Sequence, residues 1–81
     1  MSIPPESIQV GKCYLALSGS VRRVARILPD GRVLFEWRNG AHLPRRRNRW
    51  RSDIEEISVF VSFAEREVPC NWTPDTDEAA G

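Results

Sequence analysis

From Arg32 to Arg38 the chain alternates, with Val33, Phe35 and Trp37 on one side and Arg32, Leu34, Glu36 and Arg38 on the other. A period of two predicts a strand with one face buried. Upstream, Ile8 to Leu17 carries Val10, Tyr14, Leu15 and Leu17 around Gly11, which suits a strand with a bend or bulge. Ser18, Gly19 and Ser20 form a turn, and Val21 to Leu28 reads as a second strand. Pro29-Asp30-Gly31 predicts a hairpin, because proline presets the first corner, aspartate caps locally and glycine accepts the positive φ. Asn39-Gly40 suits a second hairpin that returns through Ala41 to Leu43 until Pro44 stops it.

The period then changes. Ile54, Ile57, Val61, Ala64 and Val68 recur at helical spacing, and Phe60 widens the stripe. Ser52 and Glu55 fit a capping box, Asp53 and Glu56 add negative charge to the first turn, and Pro69 ends the pattern. A helix over residues 52–68 is the expectation, with a last strand through Val59 to Phe63 as the alternative. The organisation that follows is an irregular lead-in at 1–7, one small α+β domain at 8–68 and a flexible acidic tail at 69–81. Within the domain a curled antiparallel meander covers 8–44, an arginine-rich loop 45–51 and the helix 52–68.

An 81-residue chain has room for one thin core. Its longest apolar runs are far short of a membrane span, and its amino terminus lacks a basic stretch followed by an apolar one, so a cytoplasmic protein without membrane contact is expected. Cys13 and Cys70 are the only cysteines and have no zinc-type spacing. Two reduced thiols fit that setting, with a single disulfide as the alternative.

Charge changes the picture more than composition does. The formal net charge is +1, yet residues 21–51 hold ten arginines against two acidic residues, a net +8. From residue 52 onward eight acidic residues face Arg66 alone, a net −7. The basic half peaks at Arg45, Arg46, Arg47, Arg49 and Arg51, with Trp50 set among them. Guanidinium groups grip phosphate through paired hydrogen bonds, and an indole can stack on an unpaired base. Arg22, Arg26 and Arg32 would extend that positive surface if the sheet set them alongside. The opposite reading is neutralisation at home by Asp53, Glu55 and Glu56, with Trp50 folded back over the core.

Catalytic, metal and cofactor chemistry find no matching pattern. His42 is the single histidine and neither cysteine is near it in sequence, while Asp75, Asp77 and Glu78 lack the glycine and terminal glutamate of a calcium loop. No glycine-rich phosphate loop occurs. A non-enzymatic binding or adaptor protein, monomeric or weakly dimeric, is therefore expected.

The run "VGKCYLA", "VRRVARI" and "GRVLFEWRNG" resembles the Tudor and SH3-like small barrels over about residues 10–40. That resemblance implies a curled antiparallel barrel and a candidate aromatic cage for a methylated cation, formed by Tyr14, Phe35, Trp37 and Asn39. Val21 stands where the family commonly has a further aromatic. The "GKCY…VRRV" opening with Arg66-Glu67-Val68 is also similar to small uncharacterised proteins of bacterial and phage genomes. Two partner classes follow. The first is nucleic-acid backbone, gripped by the arginine cluster. The second is a host protein or nucleoprotein complex, blocked by a mobile-element inhibitor.

Overall fold

The computed structural model describes residues 4–40 and 49–74. Five antiparallel strands form one sheet in the order β4-β3-β2-β1-β5: β1 is Cys13–Ala16, β2 Ser20–Ile27, β3 Arg32–Asn39, β4 Arg51–Glu56 and β5 Ala64–Val68. An α-helix, α1 (Ile57–Phe63), joins β4 to β5, so the fold class is α+β as expected. β4 and β5 are the two edges of the sheet and do not pair with each other.

The turns form for the reasons their residues suggest. Gly19 and Gly31 both take positive φ, and at the second hairpin Leu28 and Arg32 close the ladder with a 2.8 Å backbone bond. Both oxygens of the Asp30 carboxylate accept from Arg32, one from its backbone N–H and one from Nε. β1 is shorter than the predicted Ile8–Leu17 strand, but the bond from Gly11 N–H to the Val24 carbonyl prolongs the pairing past its start. Register shifts at Val24/Arg26 on β2 and at Leu15/Ala16 on β1 bend the sheet.

The predicted helix over 52–68 is the main correction. Residues 51–56 pair with β3 from Trp37↔Arg51 to Arg32↔Glu56, α1 is seven residues long, and 64–68 pairs with β1. The Ser52/Glu55 capping box does not form: Ser52 lies opposite Glu36 in the ladder, and the helix begins after Glu56 with no side-chain cap. Two ladders satisfy more backbone groups than a capped 17-residue helix that left β3 and β1 with open edges. Ile57, Val59 and Val61 are β-branched and favour a short helix. Val59 to Phe63 is helical, so the alternative of a last strand there also fails, although a last strand does follow it.

The sheet buries residues on both faces. On the first face Tyr14, Val24, Val33 and Phe35 meet Phe60 and Val61 of α1. Phe60 sits edge-on to Tyr14 and Phe35, with ring centroids 6.0 and 5.2 Å away. The Tyr14 hydroxyl accepts from Gln9 N–H and donates to the Ser7 carbonyl, tying the lead-in to the core. Burial pushes its pKa above the ordinary phenol value.

The opposite face packs Cys13, Leu15, Val21 and Val68 beneath Trp72. Residues 69–74, expected within a flexible tail, are held here by a Cys13–Cys70 disulfide, which corrects the expectation of free thiols. Arg38 fastens the same segment. Its side chain donates to the carbonyls of Asn39, Cys70 and Trp72 at 3.1, 2.8 and 2.8 Å. Gly40 is required beneath it, because a Cβ there would collide with the Gly19 carbonyl and the Trp72 ring. The expected hairpin return through Ala41 to Pro44, together with His42, lies outside the described residues.

Candidate functional site

α1 crosses the first face diagonally. Ile57 N–H bonds to the Gly31 carbonyl at the β2–β3 hairpin, while the Phe63 carbonyl accepts from Leu17 at the β1–β2 turn. The corner it does not cover is a cleft of about 350 Å³. Ser18, Gly19 and Ser20 form one lip, Phe35, Trp37 and Asn39 of β3 line the middle, and Arg22 and Asp53 stand at the sides. Register explains the arrangement. Arg22 of β2 and Arg51 of β4 are both cross-strand partners of Trp37, and on a neighbouring rung Asp53 is the partner of Phe35. Residues two apart share a face, so all five project to the same side.

Arg22 is the most constrained of these groups. Its guanidinium lies over Phe35, Phe60 and Phe63, with centroids 5.0, 5.7 and 5.9 Å away. Glu55 approaches Nη1 to 3.5 Å, with the two side chains 15% and 26% exposed. Nε and Nη1 of Arg22 and Oε2 of Glu55 are enclosed with no hydrogen-bond partner. The pair is therefore held by charge and packing and lacks a well-directed hydrogen bond. Arg51 is exposed and lies over the Trp37 ring at 5.5 Å. Asp53 is exposed, and its Oδ1 accepts the Ile54 N–H at 2.8 Å. The hydroxyls of Ser18 and Ser20 are 3.1 Å apart.

The residues singled out in the sequence divide into three groups. Arg22, Phe35, Trp37 and Asn39 meet at the cleft, with Arg51 beside them. Arg26 is exposed beyond the β2 bulge and pairs in the ladder with Leu34, whereas Arg32 is bound to Asp30 at the hairpin. That contact, chiefly the hydrogen bond from Arg32, holds the Asp30 carboxyl below its ordinary pKa. Arg45, Arg46 and Arg47 lie outside the described residues, and Arg49 is exposed where the described chain resumes.

Two expectations change. Tyr14, a candidate cage wall, is a core residue and does not line the cleft, and the Phe35 ring face carries the protein's own Arg22 guanidinium. Trp50 lies near the other face, against the cluster under Trp72. The guanidiniums of Arg23 and Arg38 lie over its ring at 4.4 and 5.3 Å, and Arg23 is also bound to Glu36 at 2.9 Å. The arginine-rich stretch is therefore split: Trp50 turns inward to one face while Arg51 opens onto the other.

Sequence reasoning missed Asp53 as a cleft residue, because the capping-box reading assigned it to a helix. It also missed Arg38, whose place in the polar half of the β3 alternation gave no sign of burial. Among the described residues no helix is long and apolar enough to cross a membrane, and no group of three potential metal ligands occurs. No protein-family model matches the chain, and neither a curated protein nor a solved structure matches it.

Proposed function

We propose that this chain is a non-enzymatic, SH3/Tudor-like binding module that takes single-stranded nucleic acid across the open corner of its first sheet face. Five antiparallel strands in the order β5-β1-β2-β3-β4, with a short helix between β4 and β5, support the barrel-like reading. One observation carries the functional reading: Trp37 lines an open cleft with Arg51 over its ring, at the point where the chain leaves the arginine-rich segment. A base stacks on Trp37, and its phosphates meet Arg51, Arg49 and the arginines at 45–47. Trp37 thus takes the stacking role that the sequence suggested for Trp50.

The mechanism is release of counterions with stacking added. If the five arginines of 45–51 each neutralise one phosphate, affinity for a single strand falls about 100-fold between 50 and 200 mM salt. Trp37→Ala costs roughly 1–3 kcal/mol of binding, about 5- to 150-fold in Kd. Fluorescence anisotropy of a labelled twelve-nucleotide strand measures both effects. Absence of binding at 50 mM salt, or an affinity indifferent to salt, rejects the proposal.

A second reading, the mobile-element inhibitor docked on a host protein, draws on the apolar rim of the cleft. Leu17 and Phe63 are 66% and 45% exposed and are joined through their backbones beside Ser18. Capture of a stoichiometric protein partner that survives nuclease treatment and is lost in Leu17→Ser favours that reading.

A further inference from the structure

We propose that the cleft selects guanine among the bases of the bound strand, an inference that rests on the single-strand reading above. Its walls differ in kind. Arg22 on β2 supplies a guanidinium and Asp53 on β4 a carboxylate, with the aromatic residues of β3 between them. Two strand spacings, about 9.5 Å, separate the backbones that carry the two charges. A planar purine stacked on Trp37 therefore meets the carboxylate and the guanidinium with different edges.

The two edges of guanine fit that polarity. Its N1–H and N2 amino group are adjacent donors, and a carboxylate accepts both at once. Its O6 and N7 are acceptors on the neighbouring edge, to which Arg22 offers at most Nη2, because Nε and Nη1 are enclosed. No other common base offers two adjacent donors. Adenine and cytosine present one amino group beside a ring-nitrogen acceptor, while thymine and uracil present one N–H between two carbonyls, which the carboxylate repels.

Asp53 is suited to the task. Only its Oδ1 is engaged, by the Ile54 N–H, and it is bound to no cation among the described residues. Positive charge reaches it from neighbouring rungs, through Arg22 and Arg51, and Glu55 stands two residues along its own strand. The same Arg22 wall disfavours a cationic ligand, because its guanidinium already lies over Phe35. A cleft of about 350 Å³ has space for one base.

The test uses a labelled twelve-nucleotide oligothymidine whose central base is replaced in turn by guanine, adenine, cytosine or hypoxanthine. Anisotropy titrations at fixed low salt should show the guanine strand binding about 10-fold or more tightly than the adenine and cytosine strands. Hypoxanthine keeps N1–H and loses the N2 amino group, so its affinity falls in between. D53N retains the contact to Ile54 but sets an amide in place of one carboxylate oxygen, and it should bring the guanine-to-adenine ratio to about 1. Equal affinity for every strand in the natural protein overturns the inference and leaves the single-strand reading standing. A guanine preference that persists in D53N overturns it as well, and binding of none of the strands overturns both.

Discussion

Reduction of the Cys13–Cys70 disulfide is expected to lower the unfolding free energy by about 4 kcal/mol. The bond closes a loop of 57 residues in sequence separation, and the chain-entropy relation for a loop of that length gives this value. A domain of 81 residues has a total stability of roughly 4–12 kcal/mol, so the loss is a large fraction of it. At about 4–8 °C per kcal/mol, the midpoint of thermal unfolding should fall by roughly 15–30 °C. The effect begins locally: without the bond, residues 69–74 are held by Arg38 and by packing of Trp72, and they fray before the sheet opens. Circular-dichroism melts with and without reductant, and of Cys70→Ser, measure the shift. A change below about 5 °C would mean that the segment is held in place without its covalent link.

Arg38→Ala should be the most damaging single change to a charged residue, at about 2–4 kcal/mol. The Arg38 residue is 7% exposed, and burial draws its pKa down from the usual arginine value. It has no carboxylate partner among the described residues. Three backbone carbonyls and the Trp50 ring take that place. Truncation removes a donor from each carbonyl, and a buried polar group left unpaired costs about 1–3 kcal/mol. The void beneath Trp50 adds to the loss. Arg38→Lys keeps the charge but has no planar fork to span three acceptors, so it should recover only part of the stability. Urea unfolding provides the comparison, and an alanine variant within 0.5 kcal/mol of the natural protein would contradict the role assigned here.

Where local signals matched the sheet, the sequence was readable. Pro29-Asp30-Gly31, the glycine at 19 and the alternation through Val33, Phe35 and Trp37 each act within a few residues, and each appears where expected. Residues 51–68 misled because three kinds of signal overlapped there. Ile57, Phe60 and Val61 belong to a real helix, but Ala64 and Val68 keep the same spacing while facing the core from a strand. Ser52 and Glu55 resemble a cap only when the edge of β3, which claims them, is left out of account.

The covered second face was still less legible. It depends on a disulfide between residues 57 positions apart, and neither cysteine has a local pattern that announces its partner. A tryptophan at position 72, in an otherwise polar ending, was the one available hint. Free thiols were expected because a cytoplasmic setting was, and the observed pairing does not follow from that setting. For the site, four of the residues singled out in the sequence do gather at the cleft, because strand alternation alone sets Arg22, Phe35, Trp37 and Asn39 on one side. Asp53 could be added only once β4 was known to be a strand.

One face of the sheet is closed by residues 69–74 while the other keeps an aromatic and arginine-lined corner open, which we propose takes a nucleic-acid strand. Backbone and indole amide shifts during titration with a single-stranded oligonucleotide test it most directly. Saturable shifts are expected at Ser18 to Ser20, Trp37, Arg51 and Asp53, with the Trp72 indole unmoved. Shifts centred on Cys13, Val68 and Trp72, or a spectrum unchanged at saturating oligonucleotide, would contradict it.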